Sequence, residues 1–174
     1  MKKTFRYIYF IIIFFSSNIA SSSESIYHID IDFVLNNSLA GKSIIKQLEN
    51  KDKSNKDKFK KNETELKKKE TKLISQKSIL EKKEFNEKVA LFAKEVSIYK
   101  KERADILNNF SKKKNIAQKE LLEKLTIILG KYSEEKSISY ILSRQNIIVG
   151  KKELDLTNII IEILNKEIKT IKLN

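Results

Sequence analysis

Few residues in this chain are equipped for covalent or metal chemistry. His28 is the single histidine, and there is no cysteine. A zinc site needs several nitrogen, sulfur or carboxylate ligands, so one histidine in a strand-like stretch reads as structural. Asp30 and Asp32 stand two apart, and such a pair could serve a divalent cation or acid/base work. Their position, between an alternating stretch and a short apolar run, is instead that of a strand end and a helix cap. Gly41, Gly130 and Gly150 are isolated, so there is no glycine-rich phosphate loop and a cycle driven by nucleotide is disfavoured. The serines lie in no Gly-x-Ser-x-Gly setting, and a lone histidine gives no triad. No catalytic, metal or cofactor-binding residue is therefore expected, and the chain is not read as an enzyme.

The chemistry that remains is electrostatic. The 174 residues carry 36 Lys or Arg against 23 Asp or Glu, a net charge of +13. Between Lys46 and Lys119 there are 23 basic and 12 acidic side chains, net +11. Part of this is an ordinary solvated helix face, with i,i+4 pairs such as Glu65 with Lys69 and Glu84 with Lys88. An imbalance of two to one exceeds what such pairs absorb, and it would attract an anionic partner over about 8 Å at physiological salt. Lys67, Lys68, Lys69, Lys72, Lys82, Lys83, Lys88 and Lys94 are the candidates for a diffuse client- or anion-binding surface.

Two long helices are needed to carry these lysines. From Lys42 to Lys119 there is neither proline nor glycine. Phe59, Leu66, Leu73 and Leu80 recur every seven residues, and Phe92 and Tyr99, interleaved with Val89 and Val96, continue the period, which marks a coiled-coil seam. Residues 42–119 are thus predicted to form a basic helical-hairpin arm. Pairing positions that sum to about 162 sets Leu73 against Val89, Leu66 against Val96 and Phe59 against Arg103, with the tip near Leu80 to Lys83. Polar seam positions at Asn55, Asn62, Lys69 and Gln76 predict a slender arm, poorly packed in its middle.

The remainder is small. Lys2, Lys3 and Arg6, the apolar run Tyr7 to Phe15 and the small residues after it read as a secretory signal peptide over residues 1–22, cleaved near Ala20 to Ser22. The apolar run is shorter than the roughly 20 residues that span a bilayer. Ser25 to Ile31 alternates as a strand. A short helix follows with Asp32 as its cap, and Ser38 caps the long helix. The return helix runs to about Lys136. Ile138 to Leu142 and Ile147 to Val149 read as two more strands, and Thr157 as the cap of a last amphipathic helix. The fold class is α+β, mostly α: the arm stands on a small β/α body of residues 23–41 and 120–174. Three short strands make a meagre core, so open sheet edges are expected to pair with further copies.

At both ends the sequence resembles the Skp/OmpH periplasmic chaperones. Ile29, Asp30, Ile31, Val34, Leu35, Asn36, Ser38, Ala40, Gly41 and Lys42 look like the family's opening strand, short helix and helix start. Tyr140, Ile141, Leu142 and Arg144, then Leu154, Asp155, Leu156, Thr157, Ile160 and Leu164, look like its closing strand and helix. The resemblance implies a homotrimer whose β-barrel body holds three arms around a cavity. It also implies an ATP-independent holdase in the periplasm that shelters unfolded outer-membrane proteins. Leu39 stands where many members have proline, the region of Val149 and Gly150 lacks their usual aromatic residue, and Lys166 to Asn174 is an additional tail.

Three function classes compete. A holdase would bind its client weakly at many points, each exposed ion pair contributing about 0–1 kcal/mol, and anionic lipid or lipopolysaccharide is a further candidate partner. A structural or adaptor coiled-coil protein of the envelope would call for better-filled seams. A nucleic-acid-binding protein would use the same positive charge with a steep salt dependence, but the signal peptide argues against it, and no specific nucleic acid is expected.

Overall fold

The computed structural model describes residues 25–173. The predicted signal peptide, residues 1–22, lies outside them. In chain order the elements are β1 (Ile26–Ile29), α1 (Ile31–Asn37), α2 (Leu39–Ser75), α3 (Lys82–Glu135), β2 (Tyr140–Ser143) and α4 (Thr157–Glu167), with 3-10 turns at Arg144–Asn146 and Lys152–Leu154. The architecture is α+β and mostly α.

The 37 residues of α2 reach about 55 Å and the 54 of α3 about 80 Å, at ~1.5 Å per residue. They form an antiparallel hairpin. Its tip is the turn between Ser75 and Lys82, a few residues before the predicted Leu80 to Lys83. Gln76 closes α2 by donating its N–H to the carbonyls of Leu73 and Ile74. No glycine is needed, because Gln76 keeps right-handed helical backbone angles there.

At the opposite end the chain builds the body. β1 and β2 pair in parallel, Ile26 opposite Tyr140 through Ile29 opposite Ser143, with the whole arm as their crossover. Ile29, Val34, Ala40, Ile44, Leu121, Leu125, Ile160 and Leu164 make one continuous core from β1, the four helices and the root of the arm, and the partly buried Ile141 of β2 packs against it. Gly41 is where α1 and α2 cross: a Cβ there would stand 1.7 Å from the Leu35 carbonyl oxygen, a separation no side chain can occupy.

Three local expectations are corrected. The cap of α1 is Asp30, whose carboxylate accepts from the Phe33 N–H at 2.8 Å, while Asp32 accepts from the Gln145 side chain. Thr157 is the first residue of α4 rather than its cap. Its hydroxyl accepts from the Asp30 N–H at 2.9 Å and donates to Asp155, tying both ends of the body together. Ile147 to Val149 forms no strand. It pairs with neither strand of the sheet, and Ile148 is 100% and Val149 88% exposed.

Lys166 to Leu173, the part of the additional tail that the structure describes, is docked. Asn165 accepts from the Leu39 N–H at 2.7 Å, and beyond α4 the chain crosses the root of α2, where Ile171 is buried.

Candidate functional site

The arm is the one large feature outside the core. Its middle is well packed, contrary to the expectation of poor packing there. Asn55 and Phe59 are buried. Phe59 meets Arg103, as the predicted register places it, but the meeting is a contact: the guanidinium lies over the ring, 5.2 Å from its centroid. A cation on an aromatic face is attracted by the ring's quadrupole, so a polar residue opposite Phe59 need not leave a gap. One turn further out, Glu63 reaches across to α3. It accepts from the Tyr99 hydroxyl at 2.7 Å and pairs with Arg103 at 3.4 Å. Desolvation, and next the hydrogen bond to Glu63, push the Tyr99 phenol above its ordinary value.

Further out the seam thins. Leu66, Leu73, Leu80, Phe92, Val96 and Tyr99 are all half-buried, and Val89 is exposed. Lys69 bridges to Glu95 at 2.6 Å, so a polar seam position is used as a cross-link between the helices. Beside the Glu63 staple, one side of the hairpin opens into a groove of about 730 Å³ lined by Leu66, Phe92, Val96, Tyr99, Ala104 and Leu107, with Lys67, Lys100 and Arg103 at its rim. Towards the tip the outer faces carry Ile74, Ile79, Leu91 and Ile98, each more than half exposed.

Of the eight candidate lysines, Lys67, Lys68, Lys69, Lys72, Lys82, Lys83 and Lys94 are exposed and Lys88 is half-buried. They do not form one patch. Lys69 is held by Glu95, and Lys88 by Glu84 at 3.0 Å. From Glu63 to Tyr99 the arm has 9 basic and 7 acidic residues, net +2. Lys46 to Asn62 and Lys100 to Lys119 together have 14 basic and 5 acidic residues, net +9, and the hairpin lays these two stretches side by side. The positive field therefore belongs to the inner half of the arm, while the most exposed apolar residues, Ile74, Ile79 and Leu91, lie on the outer half and Leu107 and Ile116 are exposed on the inner one. Lys53, Lys58, Lys60, Lys61, Lys101 and Lys112 are exposed members of the inner set that the sequence reading did not single out.

The remaining chemistry-bearing residues serve the body. His28 is buried in β1 with its Nδ1 4.0 Å from Asp155, and Gly150 passes so close that a Cβ would stand 3.2 Å from the imidazole Nε2. Burial opposes the charged form of Asp155. Hydrogen bonds from the hydroxyl and N–H of Thr157, with His28 and Arg144 nearby, outweigh it and hold the carboxyl below its ordinary value. Among the described residues, no three His, Cys, Asp or Glu side chains converge on a metal-sized space, and no helix is long and apolar enough to cross a membrane.

This arrangement of a parallel two-stranded body and a long helical-hairpin arm matches a known family. The family model for outer membrane proteins of the OmpH-like type aligns with residues 25–164. The chain belongs to the OmpH-like family. Among solved structures, this OmpH-like chain is similar to a candidate outer membrane chaperone (OmpH-like) from Caulobacter crescentus. The TM-score is 0.80 at 14% sequence identity, over 85% of this chain and 88% of that one, so the likeness is one of fold. Comparison with curated protein sequences gave no match. The family match stops at Leu164, so the docked tail lies beyond it.

Proposed function

We propose that this OmpH-like protein is an ATP-independent holdase of the periplasm that keeps unfolded outer-membrane proteins from aggregating. Family membership supports a chaperone role. The observation that carries the reading is the division of the arm. Its outer half is near charge balance and carries the most exposed apolar residues, a groove opens where the two halves meet, and its inner half carries the net positive charge. Many weak contacts of both kinds hold a chain without selecting one conformation, because each exposed ion pair contributes only about 0–1 kcal/mol. The same surface would meet the phosphates of anionic lipid or lipopolysaccharide.

A holdase of this design needs several arms around one client. The highly exposed Ile148 and Val149, beside a two-stranded sheet, favour self-association into a homotrimeric body with its arms around a cavity. The test is to dilute a urea-denatured outer-membrane protein into buffer with and without this protein, without nucleotide, and to follow turbidity across salt concentrations. Suppression near one trimer per client, weakening as salt rises, is the expected result. Turbidity unchanged at every ratio would remove the reading.

A further inference from the structure

The tail is held in an unusual way. Gln47, on the first turns of α2, turns its side-chain amide toward the extended chain after α4. Its Nε2 donates to the Ile171 carbonyl at 2.7 Å, and its Oε1 accepts from the Leu173 N–H at 3.2 Å. Both bonds go to main chain two residues apart, the pattern by which one strand reads another, and they take no notice of side-chain identity. Side-chain identity enters through alternation. Ile171 is buried in the body core and Leu173 half-buried, while Thr170 and Lys172 are exposed.

Past Leu173 the same trough continues between the two arm helices. It is a space of about 380 Å³ lined by Leu48, Asn50, Ser54 and Phe110, with Lys51 and Lys113 on its walls. The segment now seated there offers those lysines no carboxylate side chain, since residues 168–173 include Lys169 and Lys172 but no acidic residue. It also lies outside the residues that the family model matches.

We infer that the root of the arm is a binding site for an extended polypeptide, and that residues 168–173 occupy it as an internal ligand that a more acidic segment displaces. The favoured occupant has apolar residues at alternate positions and carboxylates between or after them. Its backbone takes the two Gln47 bonds, one apolar side chain replaces Ile171, and the carboxylates meet Lys51 and Lys113. A tail without carboxylates leaves Lys51 and Lys113 unmatched, so a segment that supplies them competes for the same seat. This inference rests on the holdase reading for its biological sense, though the site itself does not.

The test uses two fluorescent hexapeptides and the full chain. One repeats the tail, Lys-Thr-Ile-Lys-Leu-Asn, and the other is its acidic counterpart, Glu-Thr-Ile-Glu-Leu-Asn. Anisotropy titrations should show the acidic peptide binding at least tenfold more tightly than the basic one. Ile171→Ser, which weakens the internal ligand, should tighten the acidic peptide further, and Gln47→Ala should abolish its binding. Because Ile171→Ser removes a core side chain, the native chain supplies an independent readout: adding the acidic peptide should speed hydrogen exchange at the Leu173 amide. Equal affinity for both peptides, or binding indifferent to Gln47→Ala, would overturn the site as described. No binding to either chain, with Leu173 exchange unchanged, would make the tail a permanent strap. Turbidity suppression is measured in parallel. A protein that suppresses aggregation but ignores the peptide loses this inference alone, and one that binds the peptide but never suppresses aggregation loses the holdase reading alone.

Discussion

The Arg103 guanidinium lies 5.2 Å from the centroid of the Phe59 ring, joining the two helices of the arm at the point where the sevenfold pattern would leave them unmatched. With the Glu63 hydrogen bond to Tyr99 it makes a clasp where the strongly positive inner half meets the nearly balanced outer half. The arm is therefore fastened at mid-length and loosens outward.

Removing the ring should unfasten it. Phe59→Ala is expected to cost roughly 3 kcal/mol, at the low end for a buried aromatic residue. Arg103→Gln is expected to cost about 1 kcal/mol, the scale of a part-exposed cation–π contact. Hydrogen exchange resolved along the chain checks both. Protection should fall around Asn55 to Glu63 and outward to the tip and stay unchanged in the body, whereas uniform loss would mean that the clasp is not local.

Gly41 sets the fit of arm to body. With 1.7 Å between a new Cβ and the Leu35 carbonyl oxygen, Gly41→Ala must push α1 from α2. Overpacking of this kind costs about 1–3 kcal/mol, and more where backbone is the obstacle. The urea midpoint should drop sharply, while Gly130→Ala, where nothing lies within 4 Å, should raise stability by about 1 kcal/mol through helix propensity.

Charge removal should discriminate between the two halves of the arm. Neutralising Lys58, Lys60, Lys61 and Lys101 to Gln is expected to weaken salt-sensitive client or phosphate binding severalfold more than neutralising Lys67, Lys68, Lys72 and Lys94. The outer half is near balance already, at net +2 against +9. Binding measured at low and high salt decides the matter, and equal effects would contradict the division.

Acid should weaken the body through Asp155. A carboxyl held below its ordinary value in the folded state stabilises at pH values above the unfolded-state value, and that stability is lost as pH falls through the lowered one. Asp155→Asn should therefore destabilise at neutral pH and flatten the acid limb of the stability curve. Thr157→Val should do part of the same, read by urea unfolding at pH 7 and pH 3.

Much of the arm was legible in the sequence because its information is periodic. The sevenfold spacing of Phe59, Leu66 and Leu73 and the opposing Val96 and Tyr99 fixes two antiparallel helices. Whether a mismatch is a gap or a contact depends on geometry, since a guanidinium is polar in a pattern yet can lie flat on a ring, as Arg103 does. The charge division was also present in the sequence, but only folding sums Lys51 to Lys61 with Lys100 to Lys114. The body was harder to read. Asp30 and Asp32 are equally good caps by type, and the backbone chooses the first. Ile147 to Val149 has strand residues, yet it stands exposed and pairs with neither β1 nor β2. Gln47 gave no signal, because its partners are main-chain atoms more than 120 residues away.

Light scattering on the soluble fraction, after a denatured outer-membrane protein is diluted into this protein without nucleotide, tests the central claim most directly. The account predicts a single species whose mass is three copies of this chain plus one client, with the client's fluorescence still that of an unfolded chain. A compact species of one copy, with all of the client in the pellet, would contradict it.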